Sequence, residues 1–141
     1  MDTKFVSQSI GETRKFAREL AGELPRGSII LLSGDLGAGK TEFVRGFVSR
    51  WKLDNLVGSP TFTIMNEYAS DKVRICHFDL YRLSSPEELV EIGFTDFVSE
   101  ADFVFIEWPQ IAVELLEGNL VKINAFLGST ENERIFDIKK D

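Results

Sequence analysis

Residues 34–41, with the sequence GDLGAGKT, have the types and spacing that bind phosphate. Glycines let the backbone turn tightly, so that its N–H groups point inward at an anion. Lys40 would act as a point charge between the terminal phosphates, and the Thr41 hydroxyl is a hard oxygen ligand suited to Mg²⁺. The pattern GxxxxGK[ST] arises by chance about once in 10⁵ placements, and it predicts a phosphate-binding loop for Mg-ATP.

A magnesium ion on such a loop needs an acidic partner, which usually ends a neighbouring buried strand. Two carboxylates fit. Glu107 directly follows the apolar run Phe103–Ile106, and Asp79 lies near the end of its own predicted strand. Either could bind Mg²⁺ through water or orient the attacking water. Lys40, Asp79 and Glu107 are therefore the candidate catalytic residues.

Several nearby residues have two interpretations. His77 shares a strand face with Asp79, where a lone histidine is more often a hydrogen-bonded structural residue than a base. Arg82 could neutralise the γ-phosphate or form a surface ion pair. Trp108 could be a core lid or an exposed contact near the nucleotide. Thr61 lies in a Ser/Thr-rich segment that could sense the γ-phosphate, as ordered switch segments do, or form a plain turn.

The elements that position these residues follow from hydrophobic patterning. Ser28–Ser33 is a short apolar run typical of a strand buried on both faces of an α/β sheet, and Thr41–Trp51 has the periodicity of a helix. The other predicted elements are an edge strand Lys4–Ser7, a helix from a Ser9–Glu12 capping box to about Gly22, a hairpin of Phe62–Tyr68 and Val73–Leu80, a helix beginning at Ser85, a strand Phe103–Ile106, a short helix over 110–117, and strands Leu120–Leu127 and Arg134–Lys139.

Length and composition predict one globular domain over residues 1–141. The net charge of −7 and the lack of a basic cluster are atypical of a domain that grips nucleic acid by itself. One cysteine, Cys76, excludes an internal disulfide. No apolar run approaches the roughly 18 residues of a membrane span, and no signal-peptide layout is present. We therefore expect a protein of the cytoplasm.

Five pieces of sequence occur in a distinctive order: GDLGAGKT, SPTFTI, HFDLYRL, PEELVEIGF and EWP. In this order and spacing the chain resembles the TsaE family, formerly YjeE, over nearly its whole length. The resemblance implies a P-loop NTPase-like, three-layer α/β fold with a central mixed sheet of parallel and antiparallel strands. It also implies slow ATP hydrolysis in the synthesis of threonylcarbamoyladenosine in tRNA, together with the proteins TsaB and TsaD, so that tRNA is contacted only through the complex.

The resemblance also assigns roles to residues of this chain. It makes Thr41 and Glu107 magnesium ligands, Asp79 a further active-site carboxylate, Lys40 the phosphate lysine, and Ser9, Gly37, Ala38, Gly39, Thr61 and Trp108 residues near the nucleotide. One position departs from the family pattern, because Glu42 stands where a hydroxyl residue is usual. A carboxylate there would repel the α-phosphate unless it turns outward. Two outcomes are open: nucleotide affinity is lower than in relatives, or only the Glu42 backbone N–H contacts the nucleotide.

Two other functions are compatible with a phosphate loop. A small-molecule kinase would need a lid and an acceptor-binding insert, and no arginine-rich lid is visible after Thr41. A nucleotide sensor would bind ATP without hydrolysis, which the two candidate carboxylates disfavour. Release of phosphate without an acceptor distinguishes the ATPase from both.

Overall fold

One seven-stranded sheet organises the part of the chain that the structure, a computed structural model, describes: residues 2–35, 37–58 and 64–140. The strands are β1 (Asp2–Ser7), β2 (Ser28–Gly34), β3 (Met65–Ala69), β4 (Arg74–Asp79), β5 (Phe103–Glu107), β6 (Leu120–Leu127) and β7 (Arg134–Lys140). The helices are α1 (Ile10–Glu23), α2 (Lys40–Ser49), α3 (Pro86–Glu91) and α4 (Phe94–Glu100).

The sheet is mixed, as the family resemblance implies. Its strand order is β1-β7-β6-β2-β5-β4-β3, in which β6, β2, β5 and β4 are parallel. The pairs β3–β4, β6–β7 and β1–β7 are antiparallel. Short turns can join only antiparallel neighbours, whereas parallel strands need a longer crossover. The predicted hairpin before residue 80 and the predicted edge strand near the N-terminus are both confirmed.

Helices cover both faces of the sheet, which gives three layers. Strand β2 is buried on both sides, with Ile30 and Leu32 facing the α1 and α2 layer and Ile29 and Leu31 facing the α3 and α4 layer. This confirms the α/β fold class. Among the described residues, no helix is long and apolar enough to cross a membrane.

Aromatic rings fill the core under α2. Phe47 packs edge-on against Phe105, with ring centroids 4.9 Å apart, and against Phe103 at 5.3 Å. Trp51 follows the end of α2 and also packs on Phe103, at 5.5 Å. These contacts fix α2, and with it the end of the phosphate loop, against the strand that carries Glu107.

Two predicted elements differ in detail. Residues 110–117 do not form one helix but two 3₁₀ turns, Pro109–Ile111 and Val113–Leu115. The amides of Ala112, Leu115 and Leu116 form i→i+3 bonds, to the carbonyls of Pro109, Ala112 and Val113, in place of the i→i+4 bonds of an α-helix. At the start of α1, Ser9 caps the helix as predicted, but the Glu12 carboxylate accepts from the N–H of Gln8 rather than from that of Ser9.

Helices α1 and α2 approach closely at Gly46. A β-carbon built there would lie 2.5 Å from both the Cα and the carbonyl oxygen of Arg14. We expect Gly46→Ala to lower the free energy of unfolding by about 1–3 kcal/mol, because this overpacking outweighs the helix propensity that alanine adds. Chemical denaturation measures the change. Gly11→Ala in α1 is the matched control, since its β-carbon would meet only Ser9 Oγ at 3.7 Å; equal stability of the Gly46 variant would contradict the close approach.

Candidate functional site

The loop between β2 and α2 has the backbone geometry that its glycines predict. Gly34, Gly37 and Gly39 have φ values of 150°, 82° and 100°, which disfavour residues with a β-carbon. At Gly34 a β-carbon would also lie 2.5 Å from the carbonyl oxygen of Ala125. The loop ends at the first turn of α2, whose free N–H groups and helix dipole favour an anion. Position 36 lies outside the described residues.

A cavity of about 550 Å³ opens beside this loop, within the size range of small-molecule sites. The predicted site residues that line it are Ser9, Gly37, Gly39, Lys40, Thr41, Glu42, Asp79, Glu107 and Trp108. Ala38, within the loop, is fully buried and does not belong to the described lining of the cavity. Thr61, with the predicted strand residues 62 and 63, lies outside the described residues, so its role stays a prediction. Arg82 is exposed and does not belong to the described lining of the cavity.

Lys40 and Glu107 form an ion pair at the centre of the site. The Lys40 Nζ lies 3.4 Å from Glu107 Oε1, and His77 Nε2 donates to Glu107 Oε2 at 2.7 Å. Burial raises the pKa of Glu107, but the hydrogen bond from His77 and the charge of Lys40 outweigh it, and the net pKa is lowered. Glu107 is therefore anionic at neutral pH.

Asp79 is next to Glu107 in the parallel register of β4 and β5. Both carboxylates line the cavity at the C-terminal edge of the sheet, where ligands of open α/β sheets bind. Asp79 Oδ1 also accepts from the backbone N–H of Tyr81 at 3.1 Å. Asp79 therefore accepts a hydrogen bond from the turn after β4 and also lines the cavity.

Trp108 is an exposed neighbour of the loop and not a core lid. Its φ of 57° turns the chain sharply after β5, and Pro109 is buried while Trp108 is 46% exposed. The indole packs on Tyr81, with centroids 5.0 Å apart, and Lys40 Nζ lies 5.9 Å from it. Of the two interpretations in the sequence, the structure favours a surface contact near the predicted phosphate site.

The Glu42 carboxylate is neutralised by two arginines. Arg14 Nη2 lies 2.9 Å from it, and Arg45 pairs with it from one turn along α2. Burial raises the pKa of Glu42, but the two guanidinium groups more than offset this and lower it. Arg45 also donates to the carbonyl of Val57 at 2.8 Å, on the cavity wall. The repulsion expected between Glu42 and an α-phosphate is thus balanced by charges that no sequence pattern indicated.

Sequence reasoning also missed Arg134 and Asn132, which line the cavity from the end of the chain. Arg134 Nε donates to the carbonyl of Gly37 at 2.9 Å, and its Nη1 donates to the carbonyls of Glu131 and Glu133. Arg134 therefore joins the phosphate loop to the β6–β7 turn. No local signal could have found it, since the contact spans 97 residues.

The donor set suits magnesium held together with a nucleotide. Within residues 2–35, 37–58 and 64–140, no group of three or more His, Cys, Asp or Glu side chains could hold a metal alone. Mg²⁺ is instead commonly bound through one or two carboxylates plus substrate phosphates. Thr41 and Glu107 line the same cavity, and they could hold the ion with phosphate oxygens.

The four parallel strands, with the glycine-rich loop between β2 and α2, define a P-loop NTPase-like fold. The comparisons with known proteins are more specific. Residues 7–135 match the family described as "Threonylcarbamoyl adenosine biosynthesis protein TsaE", and the chain belongs to this family.

The alignments with similar proteins cover most of this chain. The "tRNA threonylcarbamoyladenosine biosynthesis protein TsaE" of Rickettsia felis is 41% identical over 128 residues, which cover 90% of this chain and 74% of the relative. The protein of the same name from Aquifex aeolicus is 34% identical, over 86% of this chain and 93% of its own. The crystal structure of Bacillus subtilis YdiB superposes with a TM-score of 0.74 and 25% identity, over 98% of this chain and 84% of that chain.

Proposed function

We propose that this protein binds Mg-ATP and hydrolyses it slowly, as an accessory ATPase in the synthesis of threonylcarbamoyladenosine in tRNA. The observation that carries the proposal is the meeting of Lys40, Thr41 and Glu107 at one glycine-rich loop and one cavity. The pathway is the one named for the TsaE relatives of this chain.

Each residue has a definite task in this proposal. The loop N–H groups and Lys40 bind the β- and γ-phosphates, and Thr41 and Glu107 hold the metal. When bound, magnesium supplies positive charge against the phosphate oxygens. Asp79 orients the attacking water, beside Glu107. Lys40 must leave Glu107 to reach phosphate, so ATP entry frees the carboxylate Oε1 that the ion pair occupies.

The proposal includes partners, because the family resemblance implies that hydrolysis by the protein alone is slow. The arginine that lines the cavity, Arg134, is bonded to the carbonyls of Gly37, Glu131 and Glu133, which gives it a structural role in the loop. TsaB and TsaD are the proposed partners, as the family resemblance implies. The net charge of −7 favours indirect contact with tRNA, through that complex. We place this work in the cytoplasm, where tRNA is modified.

Phosphate release by the purified protein tests the proposal. ATP and Mg²⁺ are supplied first alone, then with TsaB and TsaD, then with tRNA added. We expect slow release alone and faster release with the partners. Transfer of phosphate to a small acceptor would indicate a kinase instead, and tight ATP binding without release under any condition would indicate a sensor.

Arg134→Ala should weaken ATP binding about fivefold without abolishing it. The variant removes the hydrogen bond that holds the Gly37 carbonyl, and a bond of this kind contributes about 1 kcal/mol. Calorimetric titration with Mg-ATP measures the change. Lys139→Ala is the matched control, because it removes one positive charge from the same strand, at an exposed position. Equal affinities of both variants would show that Arg134 does not support the loop.

A further inference from the structure

A line of hydrogen bonds crosses three strands and ends on Glu107. The Tyr68 hydroxyl on β3 lies 3.0 Å from His77 Nδ1 on β4, and His77 Nε2 lies 2.7 Å from Glu107 Oε2 on β5. Only 3% of Tyr68 is exposed, and the His77 side chain is 12% exposed. Neither Tyr68 nor His77 binds phosphate, metal or water in the proposed hydrolysis.

The direction of these hydrogen bonds follows from the groups themselves. An ionised carboxylate only accepts, so His77 Nε2 carries a proton and donates to Glu107. In the neutral ring Nδ1 is then an acceptor, and the Tyr68 hydroxyl donates to it. Burial, and then the charge of Glu107, raise the pKa of Tyr68 to about 12, which keeps the phenol protonated at neutral pH. The His77 Nε2–H thus points at Glu107 in either protonation state of the ring, and the Tyr68 hydroxyl is bonded to the other ring nitrogen.

The two oxygens of Glu107 therefore differ. Oε2 is held by His77, whereas Oε1 faces Lys40 at 3.4 Å. A carboxylate without this support could rotate and present both oxygens to Lys40. We propose that Tyr68 and His77 are positioning residues, which fix Glu107 so that Oε1 alone is presented to the phosphate loop and its metal. This inference rests on the proposed ATPase function.

Packing alone does not explain these two polar groups. The rings border the cavity and also have apolar neighbours: the His77 ring lies 5.8 Å from the ring of Phe105, and Tyr68 belongs to the same core cluster as Val73 and Ile75. Burying polar atoms among apolar ones is costly unless they are hydrogen-bonded. Apolar side chains would fill this space without that cost. What the polar pair adds is orientation of one carboxylate, as partners behind metal ligands do.

The test compares nucleotide affinity in magnesium with affinity in EDTA. Tyr68→Phe removes one oxygen and keeps the ring, and His77→Leu removes both bonds. We expect each variant to need about tenfold more Mg²⁺ to reach half of the magnesium-dependent gain in ATP affinity. Affinity in EDTA should be unchanged, because the phosphate loop is intact. His77→Gln keeps an N–H near the position of Nε2 and should restore part of the response.

Ser99→Ala is the control, since it removes an exposed hydroxyl on α4 that does not belong to the described lining of the cavity, and this variant should bind magnesium and ATP like the wild type. Thermal melting verifies that each variant is folded. A wild-type magnesium response in both Tyr68→Phe and His77→Leu would overturn the inference. So would equal losses of affinity in magnesium and in EDTA, because they would mean that the pair only supports the pocket. A wild-type protein with no magnesium response would instead overturn the proposed function.

Discussion

Lys40→Ala should abolish measurable ATP binding. Lys40 is largely buried at the loop, and its removal leaves the nearby Glu107 charge facing the incoming phosphates. Loss of one partner of a desolvated charge pair costs about 2–5 kcal/mol, which corresponds to a loss of affinity of roughly 30-fold to several thousand-fold. Isothermal titration calorimetry with Mg-ATP measures it.

Lys15→Ala provides the control for this loss, because Lys15 is an exposed lysine on α1 and does not line the cavity. Glu107→Ala in the Lys40→Ala background separates the two causes. If part of the loss comes from the unpaired carboxylate, the double variant should bind better than Lys40→Ala alone. Unchanged affinity of a folded Lys40→Ala protein would exclude residues 34–41 as the phosphate site.

Glu107→Ala should remove magnesium-dependent turnover while the fold stays intact. The side chain lies at the end of β5 and contacts Lys40 and His77 rather than the apolar core. Removing a group that stabilises charge in a transition state typically costs at least about 100-fold in rate. Phosphate release at saturating ATP and varied Mg²⁺ measures the effect. Glu107→Gln keeps the shape and removes only the charge, so it should lose nearly as much.

Asp79→Ala distinguishes the roles of the two carboxylates. If Asp79 orients water, its removal should lower the rate at every magnesium concentration, with unchanged magnesium affinity. The opposite pattern, with turnover that survives Glu107→Ala and a magnesium requirement that depends on Asp79, would show that the two roles are reversed. Their adjacent register on β4 and β5 makes either assignment geometrically possible.

The parts of the site that sequence could predict are those set by short-range signals. The glycine spacing of residues 34–41 predicts the loop, and the apolar run before Glu107 predicts a carboxylate at the edge of the sheet. Both predictions work because periodicity and turn chemistry act over a few residues. The capping serine at position 9 and the shared strand face of His77 and Asp79 were visible for the same reason.

The parts that could not be predicted depend on distant segments. The Arg14–Glu42 pair spans 28 residues, and the Arg134–Gly37 contact spans 97. Both contacts form only because the helices and strands pack in this order. The sequence around an arginine does not indicate which distant residue it will contact. Trp108 is a different case: an aromatic residue after a buried strand suits a core position, but the chain turns there with a φ of 57° and the residue is exposed.

The position of β7 beneath the loop has a consequence for the order in which the site can form during translation. A β-carbon at Gly39 would lie 3.3 Å from Phe136 and 3.6 Å from Arg134. These two residues of β7 therefore pack directly against the phosphate loop. The loop itself, residues 34–41, leaves the ribosome long before them. A nascent chain that stops short of Arg134 contains the whole phosphate-binding motif but not the β7 residues that pack against it. In such a chain β1 also lacks its partner strand, β7. Competence to bind nucleotide at this site therefore requires translation to continue beyond Phe136.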